Sequence, residues 1–213
     1  LTGIIGASSS YLENEERRTD QEKREMGRHI GEDGDWLLNM VENLLTVTRI
    51  SEGRASVNKS LEPVEEVMSE AVFRLKKRIP DANIRVLLPE EFIMIPMDAM
   101  LIEQVLINLM ENAVFHAGSS EPVECSVQIE KRDVTFLVTD QGVGIPEDKL
   151  TAIFDGTGQT ENSVADGHKG MGIGLSICKT SVTAHGGTIG ARNHGHGAQF
   201  YFTLPRSAEG IQQ

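Results

Sequence analysis

Apolar residues in the first quarter of the chain recur mostly three and four apart: Met26, Ile30, Trp36, Leu37, Met40, Val41, Leu44, Leu45, Val47 and Ile50. That spacing follows the turn of an α-helix and predicts a long amphipathic element. Leu1, Ile4 and Ile5 supply a matching stripe on a first helix, and a polar, charged stretch runs from Glu13 to Glu25. Two antiparallel helices cannot enclose so much apolar surface alone. The simplest solution is a homodimer through these N-terminal helices, a four-helix bundle made by two chains. The alternative is that the stripe packs on the chain's own second domain. Ser51-Glu52-Gly53-Arg54 ends the pattern, with Gly53 as a helix cap. The boundary therefore falls near 55, between a helical hairpin over 1–55 and a second domain over 56–213.

Beyond that point the periodicity changes. Strands are expected near 57–61, 83–88, 92–95, 123–130 and 133–140, and helices at 63–78, Asp98–His116 and 171–185. A polar glycine-rich segment occupies 155–170, and a hairpin at 187–204 closes the domain. Three long helices against a mixed, mostly antiparallel sheet make an α/β sandwich, so the whole chain reads as α+β.

Composition narrows the classes of function. Hydrophobic residues make up 39% and charged residues 24% of the 213, as in ordinary globular proteins. No stretch approaches the roughly 18 apolar residues of a membrane helix, so no direct membrane contact is expected of this part. The first residues lack a basic secretory leader, and the chain starts without Met, which suggests a piece of something longer. A net charge of −12 repels nucleic acid, so any phosphate binding must be local, through backbone amides and metal. Cys125 and Cys178 show no CxxC or His spacing and read as two free thiols in a reducing cytoplasm.

Three constellations carry candidate chemistry. Asn108, Glu111 and Asn112 share one face of the Asp98–His116 helix, and His116 continues it one turn on. Leu101, Val105, Leu106, Leu109 and Ala113 form its apolar side. Two carboxamides and a carboxylate can hold a hard cation through oxygen, although a solvated polar face would look the same. Asp140-Gln-Gly142-Val-Gly144-Ile-Pro146 follows a strand directly, and the glycines let the backbone turn tightly around an acceptor. An ordinary surface turn is the bland alternative. Gly170-Met-Gly172-Ile-Gly174-Leu-Ser176 opens a helix whose free amides suit phosphate oxygens. A dinucleotide fold would want its glycines after an early strand, with a carboxylate about 20 positions on. Neither condition is met, and no Walker loop is present.

Order and spacing separate these readings. The Asn-Glu-Asn helix, Asp-x-Gly-x-Gly, Ile153-Phe154 and Gly-x-Gly-x-Gly-Leu follow one another within about 70 residues. In this the chain resembles the catalytic domain of sensor histidine kinases, within the ATPase superfamily that includes heat-shock protein 90 and gyrase. Gly186-Gly187-Thr188-Ile189 and Gly197-Ala198-Gln199-Phe200-Tyr201-Phe202-Thr203-Leu204-Pro205 resemble that family's last hairpin. The likeness covers roughly 60–205, and the helical segment before it resembles the family's dimerisation and histidine-phosphotransfer domain. Leu1-Thr-Gly-Ile-Ile-Gly-Ala and the segment from Val105 to Val114 resemble the potassium-responsive, Kdp-type branch.

The resemblance implies ATP and Mg2+ as cofactors and autophosphorylation as the activity. It places Asn112 on magnesium with Asn108 assisting, and Glu111 as the base that accepts the acceptor histidine's proton. Asp140 is implied to bind the adenine amino group, with Gly142, Gly144, Ile145 and His116 around the base. Residues 155–169 are implied as a lid hinged at Phe154, with Lys169, Gly170, Gly172 and Gly174 on the phosphates and Leu175 also among the ATP-binding residues. Phosphate would then pass to an aspartate on a response regulator, in a cytoplasmic domain of a membrane-anchored sensor.

Two departures from the family pattern stand out. Phe115 occupies a position where the family usually has Lys. The acceptor histidine is expected upstream of Leu1, because the first residues resemble those that follow it; His29 reads as a polar-face residue. His168, His185, His194 and His196 are assigned no chemistry. Two other readings stay open: a degenerate nucleotide-binding and dimerisation module, and an ATP-driven chaperone or topoisomerase-like machine.

Overall fold

The computed structural model describes residues 57–155 and 173–207, together with Thr19, Gln21, Lys23, Arg24, Gly27, Arg28, Ile30, Gly31 and Gly34. The chain divides into two compact units, Leu1–Thr48 and Arg49–Gln213. In the first, the described residues between 21 and 34 are helical. The remainder of the expected hairpin, with His29 and the Gly53 cap, lies outside the described residues.

The second unit begins with β1 (Ser60–Pro63) and α1 (Val64–Arg78), then β2 (Ile84–Leu87), β3 (Met94–Met97) and α2 (Ala99–His116). β4 (Val123–Ile129), β5 (Asp133–Thr139), α3 (Ile173–Ala184), β6 (Thr188–His194) and β7 (Gly197–Pro205) follow. α1 buries Val64, Val67, Met68, Ala71 and Leu75, one face at helical spacing. Glu65 and Glu66 in its first turn and Lys76, Lys77 and Arg78 in its last match the helix dipole at both ends. α2 is started by Asp98, whose carboxylate accepts the Leu101 N–H at 3.3 Å.

Five strands form one mixed sheet in the order β2-β4-β5-β7-β6, parallel only between β2 and β4. β5 is central, and its residues from Val134 to Thr139 are all buried, which suits a strand covered on both faces. Phe136 and Phe202 lie opposite each other in the β5–β7 register and stack with ring centroids 4.6 Å apart. β1 and β3 do not join this sheet; they form a separate antiparallel pair. The reason lies in Pro63 and Pro96, which lack an N–H and cannot serve inside a ladder paired on both sides. Leu101, expected on the apolar side of α2, is only half-buried, whereas Ile102, Ile107 and Met110 are buried beside the expected Val105, Leu106, Leu109 and Ala113.

Cys125 and Cys178 are free and buried, and burial pushes both thiols up to about 12, so neither is a thiolate near neutral pH.

His185 has a structural role that its sequence position did not reveal. It is almost fully buried; its Nε2 accepts the Asp98 N–H at 3.0 Å, and its Nδ1 lies 2.7 Å from the Ser181 carbonyl. The Asp98 bond requires a lone pair on Nε2, which places the ring proton on Nδ1. Lys59 donates to the His185 carbonyl at 3.0 Å. The ring thus ties the end of α3 to the start of α2 in its neutral form. Burial lowers its pKa from the ordinary 6.5; Lys59 adds to the shift, while the Ser181 carbonyl and Asp98 oppose it. The unfolded chain therefore binds more protons between the depressed folded value and 6.5, and stability falls as pH drops through that window. Below the folded value no further loss comes from this group. His185→Gln should flatten the fall in Tm between pH 7.5 and 5.5 relative to wild type; identical slopes would contradict the assignment.

Candidate functional site

The C-terminal half of α2 carries four of the predicted site residues and connects two other helices. Asn108 is half-buried; its Oδ1 accepts from Gln104 Nε2 at 2.9 Å and its Nδ2 donates to the Gly174 carbonyl of α3 at 3.4 Å. Glu111 lies on the other flank and pairs with Arg78, the last residue of α1, at 2.7 Å. Burial raises the Glu111 carboxyl above the usual carboxylate range, and the Arg78 guanidinium opposes but does not cancel the shift. Asn112 is half-buried and its side chain has no hydrogen-bond partner among the described residues. His116 and Phe115 end the helix and are exposed. The polar face is therefore a strip whose edges are pinned to α1 and α3.

Asp140 follows β5 and is 4% exposed. Its N–H donates to the Ala198 carbonyl at 2.9 Å, and its Oδ1 accepts the Ala198 N–H at 3.1 Å and the Gly142 N–H at 2.8 Å. Oδ2 takes part in no hydrogen bond among the described residues. A buried carboxylate with one oxygen held by two amides and the other unengaged is positioned to accept from a ligand.

The turn after Asp140 docks on the end of α2. The Val143 N–H donates to the Ala117 carbonyl at 3.2 Å, and a Cβ on Gly142 would fall 2.1 Å from that same oxygen. Only glycine allows this approach. Ala117 lies five residues past Asn112, about 7.5 Å along the helix axis. Asp140 and the Asn108–Asn112 strip are thus joined through one helix end. Gly144 adopts φ +72°, where a side chain would be strained.

Sequence reading missed what holds the far end of this turn. Asn193 of β6 uses its side-chain amide like a strand edge: Oδ1 accepts the Ile145 N–H and Nδ2 donates to the Ile145 carbonyl, both at 2.8 Å. A single Asn 48 positions away leaves no local pattern, and only the β6–β7 register reveals it.

The remaining predicted residues surround this frame. Ile145 and Leu175 are partly buried against the core. Phe154 is buried and meets Phe200 edge to face at 6.4 Å, while Asp155 pairs with Lys179 of α3 at 2.7 Å. Among the described residues a Cβ on Gly174 would meet only the Asn108 amide, at 3.8 Å, an ordinary contact. Lys169, Gly170, Gly172 and the rest of the expected lid over 156–169 lie outside the described residues.

An open groove elsewhere, between α1 and the start of α2, is lined by Glu62, Glu66, Glu70, Phe73 and Glu103. Four carboxylates repel a polyphosphate, so this groove does not suit a nucleotide.

Comparison with known proteins identifies the family. Residues 97–208 match the family described as histidine kinase-, DNA gyrase B-, and HSP90-like ATPase. Sensor protein KdpD of Clostridium acetobutylicum is 44% identical over 207 residues, 97% of this chain and 23% of that protein. Sensor protein KdpD of Escherichia coli is 38% identical over 170 residues, 78% of this chain and 18% of that protein. The chain thus spans about a quarter or less of the length of these relatives. Among solved structures, full-length ShkA in complex with AMPPNP matches with a TM-score of 0.68 and 26% identity, over 97% of this chain and 43% of that one. A match across more than half of the chain shows that it belongs to the histidine kinase-, DNA gyrase B- and HSP90-like ATPase family, and the relatives named above are sensor proteins.

Proposed function

We propose that residues 56–213 bind ATP with Mg2+ and phosphorylate a histidine that precedes Leu1. The reading is carried by the docking of the Asp140 turn on the helix that bears Asn108, Glu111 and Asn112. Asp140 Oδ2 accepts the adenine amino group, Gly142, Gly144, Ile145 and His116 surround the base, and the triphosphate runs along α2 toward the start of α3. There Gly170, Gly172, Gly174 and Lys169 hold phosphate, with Phe154 and Leu175 anchoring the segment between. The AMPPNP complex of the similar ShkA supports an ATP-type ligand.

The Asn112 amide oxygen, unengaged by other described residues, fits a hard cation that takes one or two protein ligands beside phosphate oxygens. Asn108 is placed to assist once Gln104 yields its Oδ1. Magnesium bound there would neutralise charge on the phosphates. Glu111 accepts the proton from the acceptor imidazole as its nitrogen attacks the γ-phosphorus; the P–N bond forms and the P–O bond to ADP breaks. Its raised proton affinity suits a base, and Arg78 orients it. The phosphoryl group then passes to a response-regulator aspartate. The first 55 residues pair two copies, and the parent is a membrane-anchored, Kdp-type sensor with this portion on the cytoplasmic side. Among the described residues no helix is long and apolar enough to cross a membrane.

The experiment uses a longer protein that includes the upstream histidine, given γ-labelled ATP and Mg2+. Label should enter the protein as acid-labile phosphohistidine, and Asn112→Ala should reduce its rate at least about 100-fold, the scale of losing a charge-assisted contact at a phosphoryl site. Normal nucleotide binding without incorporation would replace this reading with a nucleotide-binding dimerisation module. Exposed Phe115, standing where the family usually has Lys, favours that second reading.

A further inference from the structure

We infer that Asn193 is a positioning residue for the base-recognition turn, and that it sets affinity and selectivity for adenine nucleotides. The inference rests on the reading of Asp140 as the adenine acceptor. Asn193 and Ala198 face each other across the β6–β7 ladder. Ala198 holds the start of the turn: its N–H reaches Asp140 Oδ1 and its carbonyl accepts the Asp140 N–H. Asn193 holds the end through both backbone groups of Ile145. One rung of a hairpin therefore clamps the whole segment from Asp140 to Ile145.

The clamp is close-fitting. A Cβ on Gly144 would lie 2.9 Å from Asn193 Oδ1, so the amide packs directly on the left-handed glycine. The same strand pair continues inward: Arg192 donates to Gln199 Oε1 at 2.8 and 2.6 Å, and Gln199 Nε2 donates to Thr139, the residue before Asp140. Asn193 is itself exposed, so its two bonds contribute mainly to the turn's geometry. Without them the hydrogen bonds left in the Gly142–Ile145 turn among the described residues are those of Gly142 to Asp140 and Val143 to Ala117, with Ile145 still packed in part on the core. Asp140 keeps its own amide bonds, but with the far end of the turn released the base no longer seats with its amino group on Asp140 Oδ2. The effect is specific to ligands that use the Asp140 acceptor. A purine with a carbonyl in place of the amino group sets an acceptor where the amino donor would meet the carboxylate, and so loses less when the turn relaxes.

Titration calorimetry of the full chain with Mg–ATP and with Mg–ITP separates the possibilities. Wild type should prefer ATP; Asn193→Ala should raise Kd for ATP about ten-fold, the scale of one or two lost hydrogen bonds, and leave Kd for ITP nearly unchanged. Ligand-free Tm should move little. In a phosphorylating protein the same substitution should raise KM for ATP without lowering kcat. Asn193→Asp keeps the bond from the Ile145 N–H but sets a carboxylate oxygen against the Ile145 carbonyl, and should not restore ATP affinity. Wild type that fails to distinguish ATP from ITP would overturn the Asp140 reading beneath the inference. Wild type that discriminates, with Asn193→Ala unchanged, would overturn the inference alone. Equal losses for both nucleotides with a large fall in Tm would also overturn it, because they mark a merely structural residue.

Discussion

Replacing Gly142 with alanine should abolish measurable nucleotide binding and lower stability by about 3 kcal/mol, near the upper end of the usual cost of overpacking. The added carbon would lie 2.1 Å from the Ala117 carbonyl oxygen and 2.4 Å from its Cα. Both are backbone atoms, so no side chain can rotate out of the way. Either the turn lifts from α2, breaking the bond from Val143, or the last turn of α2 unwinds. Each escape separates Asp140 from the strip that carries Asn112, so the ligand site is lost even if the sheet survives. Gly174→Ala is the steric control for stability alone, since Gly174 is itself read as a phosphate contact. It sits in α3 with its nearest neighbours at 3.8 Å, and alanine there should hold stability or raise it by about 0.5–1 kcal/mol. Urea unfolding of the two variants, and ATP titration of Gly142→Ala, check these outcomes. Wild-type binding by the Gly142 variant would show that the turn and the helix end do not share one site.

The contrast also marks what sequence could and could not disclose. The strands and helices of the second unit were legible because each carries its own period: α1 buries a 3.6-residue face, and β4 alternates. The Asp140 turn was legible as a motif because its residues are adjacent. That Gly142 serves close approach, with Gly144 alone in the left-handed region, depends on where Ala117 arrives from 25 positions upstream. Asn193, His185 and Arg78 were missed for the same reason. Each acts through a partner far along the chain, and an exposed Asn, a loop histidine and a helix-end arginine look unremarkable in one dimension. The two-sheet arrangement was missed because short strands state no partner, although Pro63 and Pro96 held the clue.

The second large effect lies in the core, and its size relative to ligand binding gives it meaning. Phe136→Ala should cost about 3–5 kcal/mol, the range for emptying a fully buried aromatic site. Phe136 is 0% exposed and stacks at 4.6 Å and 4° on Phe202, itself 0% exposed, so one truncation opens the contact between the two central strands. Domains of this size have about 5–15 kcal/mol in total, so the variant loses a large part of its margin. β5 runs from this pair directly into Asp140, which makes the nucleotide a reporter of the damage. ATP at 100 times Kd restores only about 2.7 kcal/mol, less than the loss. Phe136→Leu, which keeps most of the volume, should cost under about 1.5 kcal/mol, and saturating ATP should more than offset it. Urea midpoints with and without Mg–ATP therefore separate two kinds of failure. The Phe136 variants keep a ligand-dependent shift on a lowered baseline, whereas Gly142→Ala shows none. A ligand-dependent shift in Gly142→Ala, or its absence in Phe136→Leu, would mean that the nucleotide binds somewhere other than the junction of β5 and α2.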